Sequence, residues 1–264
     1  MSGRYQQRFG FEFNTSGGAT IARGGAAYIK DGQPRFAECE FFHNYASENG
    51  GAFFNDKGDL SLTSCLVSEN TAKGLGGGIF SIDGPMLLDD SMFIANASLA
   101  GGGGFYSDNS VVTVNRVLFL GNTAPVGGGY FNMIGDAEFV NCLFSGNVAT
   151  GKQEDDSPLA ACVVNGEGGA YAGYVGAVSF INCTIAGNSA QCDGVCGGIW
   201  GLFGTIDNWV LWGNSDDEGT GEMAQVFGGV PTVDYSCVQG WTGTLGGTGS
   251  IGGGTASGAS PRVQ

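Results

Sequence analysis

The chain has 264 residues, among them 51 glycines, and 10 basic against 25 acidic side chains leave a net charge of −15. That balance argues against nucleic acid and anionic membrane surfaces as partners, and against simple capture of polygalacturonate unless a cation bridges. No apolar run approaches the length of a membrane span, and the start, Met1 to Arg8, lacks the hydrophobic region of a secretory signal.

From the first strand-like segment, Phe9 to Phe13, the chain keeps time. Asn44, Asn70, Asn96 and Asn122 are 26 residues apart, Asn147 follows after 25, and Asn188 to Asn214 is 26 again. Asn14 precedes the series by 30, and the step from Asn147 to Asn188 is 41, one period plus an insertion. A fixed period of this size is the signature of a solenoid, whose rungs bury their apolar faces only against one another.

Within each period the same columns return. Leu60 and Leu62, Met86 and Leu88, Val112 and Val114 stand two apart, as on a strand with one buried face. Phe41, Val67, Phe93, Phe119, Phe144, Ile185 and Leu211 lie three before the asparagines. A glycine pair comes next, as in Gly50-Gly51, Gly76-Gly77 and Gly102-Gly103, allowing tight corners. Each coil is therefore expected to hold three short strands joined by turns. About eight coils at a rise of ~4.8 Å would make a rod of roughly 35–40 Å. The asparagines Asn44, Asn70, Asn96, Asn122, Asn147, Asn188 and Asn214 are expected to form an internal ladder of side-chain amides.

Gly50-Gly51-Ala52-Phe53, with Phe93-Ile94-Ala95-Asn96, Phe119-Leu120-Gly121-Asn122 and Phe144-Ser145-Gly146-Asn147, resembles the repeats of bacterial surface proteins such as the polymorphic outer membrane proteins. Their architecture is the right-handed, all-β parallel β-helix of the pectate-lyase-like fold. The resemblance covers about residues 9 to 242, so a single domain over 1–242 is expected, followed by a flexible Gly/Ser/Thr-rich tail over 243–264. It implies a secreted or cell-surface protein for which this chain would be a fragment or mature domain. The fold hosts lyases, hydrolases, adhesins and inert scaffolds alike.

Candidate functional positions follow the repeat or break it. Two aromatic columns succeed the glycines, and strand alternation sends them to opposite faces. Tyr28, Phe54, Phe80, Tyr106 and Phe131 are read as the outer row, a platform for sugar rings or a partner protein. Phe53, Ile79, Phe105, Tyr130 and Tyr171 are the inner row, unless a bulge at the glycines buries both. Asp31, Asp56, Asp83 and Asp108 fall five or six residues after the glycine pairs. They form a carboxylate row able to take Ca²⁺, or are turn residues.

Cys39, Cys65, Cys142 and Cys183 lie five before ladder asparagines, and Cys237 is read into the same column; all are expected as buried free thiols. Insertions near 150–164, with Glu154, Asp155 and Asp156, and near 191–196 should meet in one corner. Cys162, Cys192 and Cys196 offer one disulfide there, or a loop site; zinc would lack a fourth soft ligand, with His43 several coils away.

No catalytic residue is assigned. The pairs Asp89-Asp90, Asp155-Asp156 and Asp216-Asp217 are adjacent strand residues expected to point apart, which does not suit glycoside hydrolysis. Arg116 is the one basic residue of the middle coils outside turns that could serve a lyase. The expected function is a non-catalytic extracellular or cell-surface module for adhesion or glycan or protein binding. The alternatives are a polysaccharide lyase or glycoside hydrolase, and a structural stalk. The rod is also expected to self-associate end to end through its open strand edges.

Overall fold

The computed structural model describes residues 9–12, 23–153, 162–201, 204–228, 232–243 and 248–253. Among them the chain winds into an all-β parallel solenoid of about seven turns with ~26 residues per turn, close to the eight expected. Each coil lays one strand on the like strand of the coil before it. Three long sheets result. Sheet I runs from Ala27–Lys30 through Phe53–Asp56, Ile79–Ile82, Phe105–Asp108, Tyr130–Ile134 and Tyr171–Val175 to Ile199–Trp200 and Val226–Phe227. Sheet II starts at Arg35–Ala37 and ends at Thr232–Asp234, and sheet III runs from Phe9–Glu12 and Cys39–Phe42 to Ile251–Gly253.

A fourth sheet corrects the expectation of three strands per coil. Two-residue strands such as Tyr45–Ala46, Thr71–Ala72 and Ala97–Ser98 follow the ladder asparagines and pair in parallel. They are too short for alternation to betray them. Within the segment expected as tail, Ile251–Gly253 pairs in parallel with Cys237–Gln239.

The corners explain the glycines. A middle coil turns four times through the left-handed region, at Lys57, Ser64, Glu69 and Gly76, and the next at Asp83, Asp90, Ala95 and Gly102. At three of the four corners the side chain points to open space and residues other than glycine tolerate the conformation. At the fourth, a Cβ on Gly76 would lie 2.3 Å from the Ile79 carbonyl oxygen, and one on Gly77 2.3 Å from that of Gly103. In a later coil Cys196, at φ +65°, takes the place of the first glycine, while the second glycine is kept at Gly197.

The inner aromatic row fills the core: Phe53, Ile79, Phe105, Tyr130 and Tyr171 are all fully buried, with the column Phe93, Phe119 and Phe144 stacked opposite. Two polar columns line this core. In the first, each asparagine amide donates to the next asparagine's Oδ1, at 2.8–2.9 Å from Asn44 to Asn214, and from Asn70 onward also to a carbonyl of the preceding coil, such as Asn122 to Phe93 O at 2.9 Å. The ladder ends on Gln225, whose Oε1 accepts from Asn214 Nδ2 at 2.8 Å while its Nε2 donates to Asn214 O. Gln225 sits on the single helical turn Glu222–Gln225 and shares no spacing with the asparagines, so the repeat does not announce it.

In the second column Cys39, Cys65, Ser91, Cys142, Cys183 and Ser236 each donate to the carbonyl two residues earlier, at 2.8–3.4 Å. The cysteines are free thiols. Cys237 is displaced from this column by one residue: register places Val210 beside Cys237, so Ser236 takes the interior place and Cys237 is half-buried.

Candidate binding surface

The five residues Tyr28, Phe54, Phe80, Tyr106 and Phe131 stand in register on the outer face of sheet I, opposite the core. They stack as one column, with ring centroids 5.2, 4.7 and 5.1 Å apart and then an edge contact of 5.3 Å. They are not an exposed stripe. Only Tyr28 is open, at 47% exposure; Phe54, Phe80, Tyr106 and Phe131 fall to 5, 6, 4 and 7%. Each ring covers the next, and the residues before the glycine pairs, including Leu75 and Val126, wall the row into a second small core. Strand alternation predicts which way a residue points, not whether the following corner folds over it.

Register carries the column on through Ala172, Trp200 and Phe227. At Ala172 the ring is missing. Tyr174, two residues on, leans into the gap and makes edge contacts with Phe131 at 5.3 Å and Trp200 at 5.1 Å. Its hydroxyl donates to Glu167 Oε2 at 3.1 Å.

Glu167 occupies the wall position held by Val126 in the coil before and Val195 in the coil after. Burial pushes its carboxyl above the usual carboxylate range, and the Tyr174 hydrogen bond only partly offsets that. Burial, with the Glu167 charge second, lifts the Tyr174 phenol to about 12. A raised acid pKa stabilises the fold below the ordinary value and loses that contribution as pH climbs through the folded one. Glu167→Gln should therefore melt higher than the parent chain at pH 7 and level with it near pH 4. A lower melting temperature at pH 7 would mean that the ionised carboxylate is held by a stabilising partner.

Beside Tyr174 the outer surface changes character. In the early coils the two columns ending sheet I carry Lys30, Asp56, Ile82 and Asp108, then Asp31, Lys57, Asp83 and Asn109. In the next two coils the same columns hold Met133 and Tyr174, then Ile134 and Val175, exposed by 37, 36, 45 and 58%. An exposed apolar patch of four neighbouring side chains thus stands where the early coils are mostly charged or polar.

The aspartates do not form one carboxylate row. Asp56 and Asp108 share a column with Ile82 between them, while Asp31 and Asp83 occupy the next column around Lys57. Asp31 and Asp83 are left-handed turn residues, and Asn109 Nδ2 donates to Asp83 Oδ1 at 2.6 Å. The register is constant at 26 residues, and the aspartates alternate between six and five residues after the glycine pairs, so they fall in two neighbouring columns. Among the described residues no group of three or more His, Cys, Asp or Glu is placed to hold a metal.

Asp89 and Asp90 do not point apart. Because Asp90 is left-handed, both carboxylates close on Arg116, with Asp90 Oδ1 2.6 Å from Nε and Asp89 Oδ1 2.8 Å from Nη2. The hydrogen bond from Arg116 holds the Asp90 carboxyl below its ordinary value. Arg116 is itself a corner residue with both carboxylates on it, not an isolated base. Asp216 and Asp217 serve loop backbone, accepting from Gly219 N and Gly194 N. His43 lies exposed with Glu69 Oε2 2.6 Å from its Nε2.

At the insertions, Lys152–Gln153 and Cys162–Val164 form a small antiparallel ribbon. Cys192 is disulfide-bonded, whereas Cys196 is a free thiol buried in the glycine-pair corner. Cys192–Cys196 is thereby ruled out as the staple. The Cys162 side chain and Glu154, Asp155 and Asp156 lie outside the described residues, as do Asn14 and residues 254–264. Compared with family models, with curated proteins and with solved structures, the chain matches none of them.

Proposed function

We propose that this chain is a non-catalytic binding module of a secreted or cell-surface protein, an adhesin-like solenoid resembling the polymorphic outer membrane protein repeats. The observation that carries the reading is the switch from charged to apolar side chains at Met133, Ile134, Tyr174 and Val175. Nothing in the repeat requires it, since the equivalent residues of the earlier coils are charged or polar, with Ile82 the exception. Tyr174 offers a ring edge and a hydroxyl beside the Glu167 carboxylate, a combination suited to sugar rings or to a protein surface. The ladder and the stacked cores make the support rigid, which limits the ordering cost of binding.

The stalk reading draws on a separate observation, the burial of the outer aromatic column. If the patch has no partner, the whole module is spacer. Immobilised neutral and acidic polysaccharides, tested with Ca²⁺ and with chelator, separate the cases. Retention on one glycan, weakened about tenfold by Tyr174→Ser and unaffected by Asp83→Ala, supports the binding module. Retention that ignores Tyr174→Ser moves binding elsewhere on the rod, and the release of new reducing ends or unsaturated products would reverse the non-catalytic assignment.

A further inference from the structure

The interior cysteine column contains two pairs of thiols on directly adjacent coils. Register puts Cys39 beside Cys65 and Cys142 beside Cys183, with Ser91 and Val117 separating the pairs. All four are free and buried. Cys183 Sγ accepts from Cys142 N at 3.4 Å, and the other polar neighbours of these sulfurs are main-chain carbonyls such as Thr63 O and Val140 O.

We infer that each stacked thiol pair is a two-coordinate site for a thiophilic d10 cation, of the class of silver(I), copper(I) and mercury(II). Parallel side chains on stacked strands, all four turned to the carbonyl two residues before them, repeat at the strand spacing of ~4.8 Å, wider than the Cβ separation of about 3.8 Å that a disulfide prefers. That spacing matches two metal–sulfur bonds of about 2.3 Å set end to end. Soft sulfur donors select soft cations. Zinc, which wants four ligands, finds no third or fourth among the described residues.

Binding breaks two S–H bonds, forms two S–M bonds and releases two protons per cation, so it strengthens as pH rises. Burial already raises the Cys65 thiol, and in the second pair the hydrogen bond with Cys142, then burial, pushes Cys183 far up. Cys142 moves the other way, its thiol lowered first by its hydrogen bond with Cys183.

The first pair also has an approach. A concavity of about 270 Å³ lies outside the corner at Cys39 and Cys65, rimmed by Glu38, Glu40 and Asp90 with Met92 beside them. Asp90 is paired with Arg116, and the half-exposed Met92 thioether offers a soft stopping point before the buried sulfurs.

The test uses the full chain carrying Cys237→Ser, which removes the half-buried thiol, with silver(I) as the probe and no added thiol reagent. Native mass spectrometry should show bound silver falling by one equivalent on Cys39→Ser and by one on Cys183→Ser, with two protons released per equivalent. A mercury(II) arm should give the same differences, and zinc(II) should not bind. Serine is already present in this column at Ser91 and Ser236, so both variants are expected to fold, and circular dichroism checks that they do. Silver binding that neither substitution reduces, or that occurs only after unfolding, would overturn the assignment.

Discussion

Replacing Asn122 by leucine is expected to cost about 4–6 kcal/mol and to lower the melting temperature by roughly 10–15 °C. Asn122 lies mid-rod and fully buried. Its Nδ2 donates to Phe93 O and Asn147 Oδ1, both at 2.9 Å, and its Oδ1 accepts from Asn96 Nδ2 at 2.9 Å and Asn96 N at 3.0 Å. Leucine matches the volume but leaves the Asn96 amide unpaired inside the coil, while the Phe93 carbonyl keeps only its strand partner. It also takes one bond each from Asn147 and Asn96. An unpaired buried group costs about 1–3 kcal/mol, and each further lost hydrogen bond about 1 kcal/mol more. The control is Asn182→Ala, the same residue type at an exposed left-handed corner, where about 1 kcal/mol is expected. Urea melts of the two variants measure the difference. A loss below about 1.5 kcal/mol for Asn122→Leu would mean that the ladder bonds are exchanged for other partners at little cost.

The second large effect is expected at the glycine pair. Gly77→Ala should destabilise by about 3 kcal/mol or more, the upper range of overpacking. The added methyl would stand 2.3 Å from Gly103 O and 2.4 Å from Ala97 O, both main-chain atoms of the next coil. Those atoms are fixed by the ladders of two sheets, so neither can withdraw without breaking pairing along the rod. Gly121→Ala makes the comparison: its φ is +61°, yet nothing lies within 4 Å of the new methyl. It should cost only about 1 kcal/mol, the ordinary left-handed penalty. Its column holds His43, Glu69 and Ala95 in the same conformation in other coils. Equal losses for the two alanines in thermal melts would show that backbone conformation, rather than close approach between coils, sets the glycine requirement.

Much of this molecule is legible in its spacing. The 26-residue beat of Asn44, Asn70, Asn96 and Asn122 specifies a solenoid because like residues can stack only if each coil repeats the length of the last. The inner row from Phe53 to Tyr171 follows from period-two alternation, and the glycine pairs from the need for a corner without a side chain. These are properties of one coil repeated, and a periodic sequence states them many times over.

Tertiary structure decided everything that depends on two coils at once, or on a corner folding over a strand. Phe54, Phe80, Tyr106 and Phe131 point outward as alternation requires, yet the wall at Leu75 and Val126 buries them. Asp31, Asp56, Asp83 and Asp108 look like one row, but they stand alternately six and five residues after the glycines, and a constant register turns that difference into two columns. Asp89 and Asp90 converge on Arg116 only because Asp90 turns left-handed, and Gln225 ends the ladder from a position no period marks. Nor does spacing single out Tyr174, which matters because Ala172 leaves a gap beside Phe131 for it to fill. The sequence by itself determined the coil; contacts between neighbouring coils, which a linear pattern records only when both partners repeat, decided which of its side chains reach solvent.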